Sequence, residues 1–221
     1  MERRKQLVRD AYDSVAEKYA RARRMGPREQ GWIERFVSLL PAGAGIIDLG
    51  CGNGEPHLAA MLARGFLVTA VDFSGEQLAR ARASCPTATI IQADLCEVDL
   101  PSSAFDAVLA YDSIFHVPRE QHATLFRRVA GWLVEGGVAL LTFGYVPESS
   151  GGELYTEHLG APTFYSASPM EVSLDYLRDA GLFLLDHDIK ANPSGSGVEG
   201  GHVVVLVRRG PAPRSATPAN P

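Results

Sequence analysis

Cysteine is scarce in this 221-residue chain, which has only Cys51, Cys85 and Cys96. An odd number at wide spacing indicates neither a disulfide framework nor a metal-ligand set, so reduced thiols in a cytoplasmic protein are expected. No apolar run approaches the roughly 20 residues that span a bilayer. Nor does an apolar stretch follow Met1-Glu2-Arg3-Arg4-Lys5, so no signal peptide is expected. Charged residues make up 21% of the chain and hydrophobic ones 46%, a globular composition and not a disordered one. The net charge of −5 is uneven: residues 1–28 carry nine basic and four acidic side chains, leaving −10 on the remainder. An acidic body argues against nucleic acid as the main partner, because phosphate recognition needs a basic face. The basic N-terminal segment reads as the solvated face of a helix.

Residues 4–20 place Leu7, Val8, Ala11, Tyr12, Val15, Ala16 and Tyr19 on one apolar stripe, which predicts a helix. A second helix runs through Trp32, Ile33, Phe36, Val37 and Leu40 and is stopped by Pro41 and Gly43. The pattern then changes to short apolar runs alternating with helical stretches. Strands are expected at Gly45–Leu49, Leu67–Asp72, Ala88–Gln92, Ala104–Tyr111, Val138–Phe143, Phe183–Ile189 and His202–Val207. Helices are expected at 55–64, 75–84, 120–134 and 169–180. This alternation implies an α/β fold, a doubly wound and mostly parallel sheet with helices on both faces. The last two strands are joined only by Ala191–Gly201 and should pair antiparallel. Residues 1–40 then form an N-terminal helical cap, 41–209 the main domain, and the proline-rich 210–221 a disordered tail.

The first strand runs into Asp48-Leu49-Gly50-Cys51-Gly52-Asn53-Gly54, and Glu55-Pro56 opens a helix. Glycines at such a turn let the backbone approach a ligand beside an electropositive helix N-terminus. A dinucleotide fingerprint starting at Gly50 needs its third glycine at position 55, which is glutamate. No Gly-Lys-Ser/Thr follows, so the turn is not an ATP phosphate loop either. Asp72 ends the second strand, where a carboxylate can accept both ribose hydroxyls. Asp94 follows the third strand, where it can take an adenine amino group. Acids at the carboxyl ends of successive parallel strands line one crevice.

The ordered set resembles the class I S-adenosylmethionine-dependent methyltransferases over roughly residues 40–208. Asp48–Gly54 is similar to that family's first motif, Asp72 to its ribose acid and Asp94-Leu95 to its adenine clamp. Phe105–Val108 through His116-Val117 resembles the fourth-strand motif, and Leu133–Gly137 the turn into strand five. The resemblance implies a Rossmann-like seven-stranded sheet of order 3-2-1-4-5-7-6 with strand seven antiparallel. It implies S-adenosyl-L-methionine as cofactor, held by Tyr19, Asp48, Gly50, Cys51, Gly52, Gly54, Asp72, Phe73, Asp94, Leu95 and the Tyr111 carbonyl. Ser113–Arg119 and Phe164-Tyr165-Ser166 are similar to a bacterial small-molecule branch. That branch carries a histidine where Ala167 stands, so no role passes to this position.

The expected activity is methyl transfer to an oxygen or nitrogen of a small molecule by in-line displacement, which needs orientation, exclusion of water and sometimes a base. His116, His202 and Asp112 are the candidates for that base or for anchoring the acceptor. His57, His122, His158 and His187 are assigned no role. The first helix, with Tyr12 and Tyr19, is a candidate lid. The Asp/Asn/Ser-Pro-Pro-Tyr/Phe motif that nucleic-acid amino methyltransferases resemble is missing after strand four, where Tyr111-Asp112-Ser113-Ile114 stands. The alternative reading is a module that binds the cofactor without methylating, either a different catalyst or a regulatory subunit.

Overall fold

The computed structural model describes residues 2–147, 152–191 and 200–211. In chain order its elements are α1 (Arg3–Ala22), α2 (Pro27–Val37), β1 (Gly45–Leu49), α3 (His57–Ala63), β2 (Leu67–Asp72), α4 (Gly75–Ser84), β3 (Thr89–Gln92) and β4 (Phe105–Ala110). There follow α5 (His122–Trp132), β5 (Leu133–Tyr145), β6 (Glu153–His158), β7 (Ala161–Ser168), α6 (Met170–Asp179), β8 (Leu182–Ala191) and β9 (Gly201–Arg209). Most of the Ala191–Gly201 connection and the tail from residue 212 onward lie outside the described residues. No helix among the described residues is long and apolar enough to cross a membrane.

Adjacent strands run β3-β2-β1-β4-β5-β9-β8. β9 is antiparallel to both β5 and β8, whereas β1 to β5 pair in parallel. With β8 as strand six and β9 as strand seven, this is the expected order. The core strands bury both faces, as a sheet covered by helices on each side must. Ile47, Val71, Val108, Leu141 and Val205 pack toward Phe126 and Val129 of α5 and Leu177 of α6. Ile46, Ala70, Leu109, Leu140 and Val204 pack toward Phe36 of α2 and Leu58 of α3. Of the two helices in the expected 1–40 cap, α2 packs on the sheet through Phe36, and α1 lies against α4 and β7.

Among the described residues the sheet has nine strands, two more than the seven expected. The stretch between strand five and α6, read from sequence as a long connection, contains the hairpin β6–β7. Its turn, Leu159-Gly160, has positive φ at both residues (52° and 86°), as tight hairpins require. β5 outruns β4, whose pairing ends at Ala110↔Leu141, and β7 joins β5 in parallel at Gly144↔Ala167 and Tyr145↔Ser168. Gly144 permits that approach: a Cβ there would lie 2.6 Å from Ser166 O. α1 then packs Ala11 and Val15 against Ala161 and Leu159, holding the hairpin beside the carboxyl ends of the parallel strands.

Candidate active site

The turn after β1 is shaped by what it must avoid. Gly50 has φ +79°, and a Cβ on it would lie 2.4 Å from Ser113 Cβ. Its N–H and that of Cys51 both donate to Val71 O, which fixes the turn to β2. Ser113 Oγ donates to Leu49 O at 2.8 Å and ties the β4 exit to the same turn. Asp72 Oδ2 accepts from Gly52 N and Oδ1 from Ser74 N, each at 2.9 Å. Burial pushes the Asp72 carboxyl upward, and these N–H donors oppose the shift. Asp48 is sealed beneath the turn at 3% exposure. Its Oδ2 has no hydrogen-bond partner, and burial pushes its pKa up to about 7.

A cleft opens above these groups. Its floor is the carboxyl end of the parallel strands, with Gly50, Cys51, Gly52, Asp72 and Tyr111; Phe73, Asp94 and Leu95 line its far end. Its roof is α1, through Lys5, Val8, Tyr12 and Tyr19. These polar and aromatic roof residues are spaced by seven and so share one helix face. Asp94 Oδ2 pairs with Lys5 Nζ at 2.7 Å, and its Oδ1 accepts from Cys96 N at 2.8 Å. Gly54 does not face the cleft. A Cβ there would meet Cys85 Sγ at 3.1 Å and Leu58 Cδ2 at 3.4 Å, so this glycine serves the packing of α3 on α4.

A second cavity adjoins the first and shares Tyr12, Tyr19, Arg23, Tyr111 and Asp112 with it. Its further wall is aromatic: Phe115, Tyr165 and His202, with His158 from the hairpin. The His202 ring stacks on Phe115 at 4.4 Å and 14°. Asp112, in the left-handed region at φ 58°, lies 3.6 Å from Arg23 Nη2. Burial raises the Asp112 carboxyl, while Arg23 and His202 pull it back. At the edge of this cavity burial opposes charge on Glu29, yet its neighbours His57 and Arg23 outweigh that cost and hold it at about 2.

His116 lines the cleft just past β4, as its place in the sequence leads one to expect. Its Nδ1 is 2.7 Å from Phe164 O, an acceptor only, so Nδ1 carries the proton and donates. Nε2 then accepts from Tyr12 Oη at 2.9 Å. Both nitrogens are engaged, and burial lowers the pKa from 6.5 to about 4. The basic nitrogen therefore meets the cleft only through the Tyr12 hydroxyl.

Tyr12, expected from sequence as part of the lid, lines both cavities; Lys5, Arg23, Phe115 and Tyr165, given no role from sequence, line one or both, as do two of the unassigned histidines. His57 lies 5.1 Å from the Tyr111 ring, centroid to centroid. His158 faces Tyr12 and Tyr19 at 5.7 and 6.1 Å. His122 is a brace, with Nε2 donating to Val117 O at 2.9 Å. The seven-residue spacing of Lys5, Tyr12 and Tyr19 was a usable sequence signal for the roof. Nothing local marked His158.

Fold and cleft together define a Rossmann-like nucleoside-binding protein, and a methyltransferase-domain family model matches residues 46–137, from β1 into β5. Residues 46–137 form a domain of the S-adenosylmethionine-dependent methyltransferase family. It is 34% identical over 162 residues to the 27-O-demethylrifamycin SV methyltransferase of Amycolatopsis mediterranei, covering 67% of this chain and 58% of that one. The chain thus spans less than two thirds of that relative's length. Among solved structures, the 1,6-didemethyltoxoflavin-N1-methyltransferase of Burkholderia thailandensis, with bound 1,6-didemethyltoxoflavin and S-adenosylhomocysteine, superposes with TM-score 0.68 at 18% identity, covering 93% of this chain and 88% of that one. A cyclase, SpnF, superposes with TM-score 0.70 at 18% identity, covering 95% and 97%. At such identities the likeness is one of fold.

Proposed function

We propose that this protein transfers a methyl group from S-adenosylmethionine to an oxygen or nitrogen of a small molecule, in the cytoplasm. The observation that carries the reading is the cleft itself, in which Asp72 and Asp94 stand at successive strand ends and open into an adjoining aromatic cavity. The residues fit the cofactor. Each Asp72 oxygen accepts one N–H and keeps a lone pair for a ribose hydroxyl. The unpartnered Asp48 oxygen supplies negative charge under the glycine turn, where the ammonium of a methionine moiety is stabilised. Bound there, S-adenosylmethionine supplies an electrophilic methyl on a positively charged sulfur.

The chain has three tasks. Tyr12 and Tyr19 cover the turn and exclude water. The aromatic wall orients the acceptor in the second cavity. A proton leaving the acceptor needs a base, and the two histidines differ in fitness. A proton on His116 is opposed by burial, and its Nε2 is already occupied by Tyr12. A proton on His202 is also opposed by burial but favoured by Asp112. We therefore assign the base to His202 with Asp112, and to His116 the positioning of Tyr12. The three free thiols agree with a reducing compartment.

The test is calorimetry followed by turnover. S-Adenosylmethionine and S-adenosylhomocysteine should bind at micromolar levels, and NAD should not. Tight NAD binding without binding of either sulfur compound would overturn the reading. Release of S-adenosylhomocysteine on adding candidate acceptors distinguishes methyl transfer from a bound cofactor that does not react.

A further inference from the structure

Lys5 is 4% exposed, and its ammonium sits 2.7 Å from Asp94 Oδ2, whose side chain is 8% exposed. A buried lysine is costly unless paired, and a buried ion pair is often no more stabilising than well-packed apolar residues. Fold stability alone thus gives little reason for this pair, which joins two residues 89 positions apart at the far end of the cofactor cleft. Both residues line that cleft, with Val8 of the roof and with Phe73, Ala93 and Leu95.

The chemistry of the pair is directional. Lys5 Nζ has three N–H donors, and Asp94 uses one of them. Asp94 holds its Oδ1 against Cys96 N and keeps lone pairs free. The two side chains therefore present a donor beside an acceptor. Adenine presents the complement: its N6 amino group donates, and the adjacent ring nitrogen accepts. In hypoxanthine the 6-amino group is replaced by a carbonyl, which would face the Asp94 carboxylate, acceptor against acceptor.

We infer that Lys5 and Asp94 together read the adenine edge of the cofactor, so that α1 supplies a base-specificity residue and not only a cover. The inference rests on the cofactor reading above. Lys5 also makes seating of α1 part of cofactor binding. Asp13 Oδ1 accepting from Glu76 N at 3.2 Å and Tyr12 bonded to His116 secure the same helix at the other rims.

Calorimetry with S-adenosylhomocysteine and S-inosylhomocysteine tests this directly. The wild-type chain should bind the adenosyl compound at least tenfold more tightly. Lys5→Met should weaken the adenosyl compound about tenfold and narrow the ratio between the two, as should Asp94→Asn, whose amide can donate to the carbonyl. Hydrogen exchange in residues 3–22 should slow on adding S-adenosylhomocysteine to the wild type and slow less in Lys5→Met. Melting curves establish that each variant is folded. An unchanged ratio in folded Lys5→Met, even with weaker binding overall and whatever Asp94→Asn shows, would overturn base reading by Lys5 and leave it as a strut. Should the wild type bind neither compound, the cofactor reading itself fails, an outcome distinct from the first.

Discussion

Replacing His116 by glutamine should change how stability depends on pH. The folded-state pKa of His116 is lowered from 6.5 to about 4, so between these values the unfolded chain binds the proton more readily. The linkage contribution of His116 is fully present above pH 6.5 and is lost as pH falls toward 4. At pH 5.0 the loss relative to pH 7.5 amounts to about 2 kcal/mol. The wild-type curve alone does not show it, because Asp48 acts in the opposite direction: its carboxyl is raised from 3.8 to about 7, so its contribution declines as pH rises through that window. Subtraction isolates the histidine. Urea unfolding of wild type and His116→Gln at pH 5.0 and 7.5 should show a stability gap about 2 kcal/mol larger at pH 7.5. Parallel pH dependences in the two proteins would refute the burial and tautomer argued for His116. The same chemistry bears on catalysis, since a base titrating near 4 leaves kcat flat through neutrality.

Asp72→Asn keeps one acceptor and turns an amide donor toward a backbone N–H, so S-adenosylhomocysteine affinity should fall by about 1.5–3 kcal/mol with folding retained. Calorimetry that finds the variant within threefold of wild type would exclude Asp72 from the ribose site. Gly50→Ala combines a left-handed backbone with overlap against Ser113, whereas Gly43→Ala meets only the first, since no atom lies within 4 Å of its Cβ. The Gly50 variant should therefore be the less stable by at least about 1 kcal/mol, and equal melting temperatures would count against the close approach. Tyr12→Phe leaves His116 Nε2 buried without its donor, a cost of about 1–3 kcal/mol readable as a lower Tm. An undiminished Tm would mean the contact is absent in solution.

The cofactor half of the site was legible because it is local. Asp48 through Asp94 fall on three successive strand ends, and the bounds of β1 and β2 match their apolar runs residue for residue. Glycine was the weakest guide within the motif. Gly50 and Gly54 both need positive φ, but only the first faces the cleft, and one-dimensional spacing does not say which way a turn points. The 13-residue β5 was read short because Gly136-Gly137 interrupts its apolar run. The hairpin escaped for a related reason. β6 is exposed over Glu153–Glu157, so it lacks the buried alternation that marks a strand, and Leu159-Gly160 is not the Asn-Gly turn that announces a hairpin.

What the sequence left unread is also what sets the acceptor apart from the cofactor. The second cavity draws on α1, on the β4 exit at Asp112 and Phe115, on the hairpin at His158 and Tyr165, and on β9 at His202. Few of these are near one another in the chain, and the topology assembles them. β7 reaches the site through two register positions on β5, the first of them made possible by Gly144. β7 is held as well by α1, which packs on Ala161, and by His116, which donates to Phe164 O, so the exposed β6 is the part of the hairpin freest to vary. In this protein the two halves meet at Tyr12 and Tyr19, which line both cavities. On the reading proposed for Lys5, cofactor binding would order α1 and with it the tyrosines that wall the second cavity.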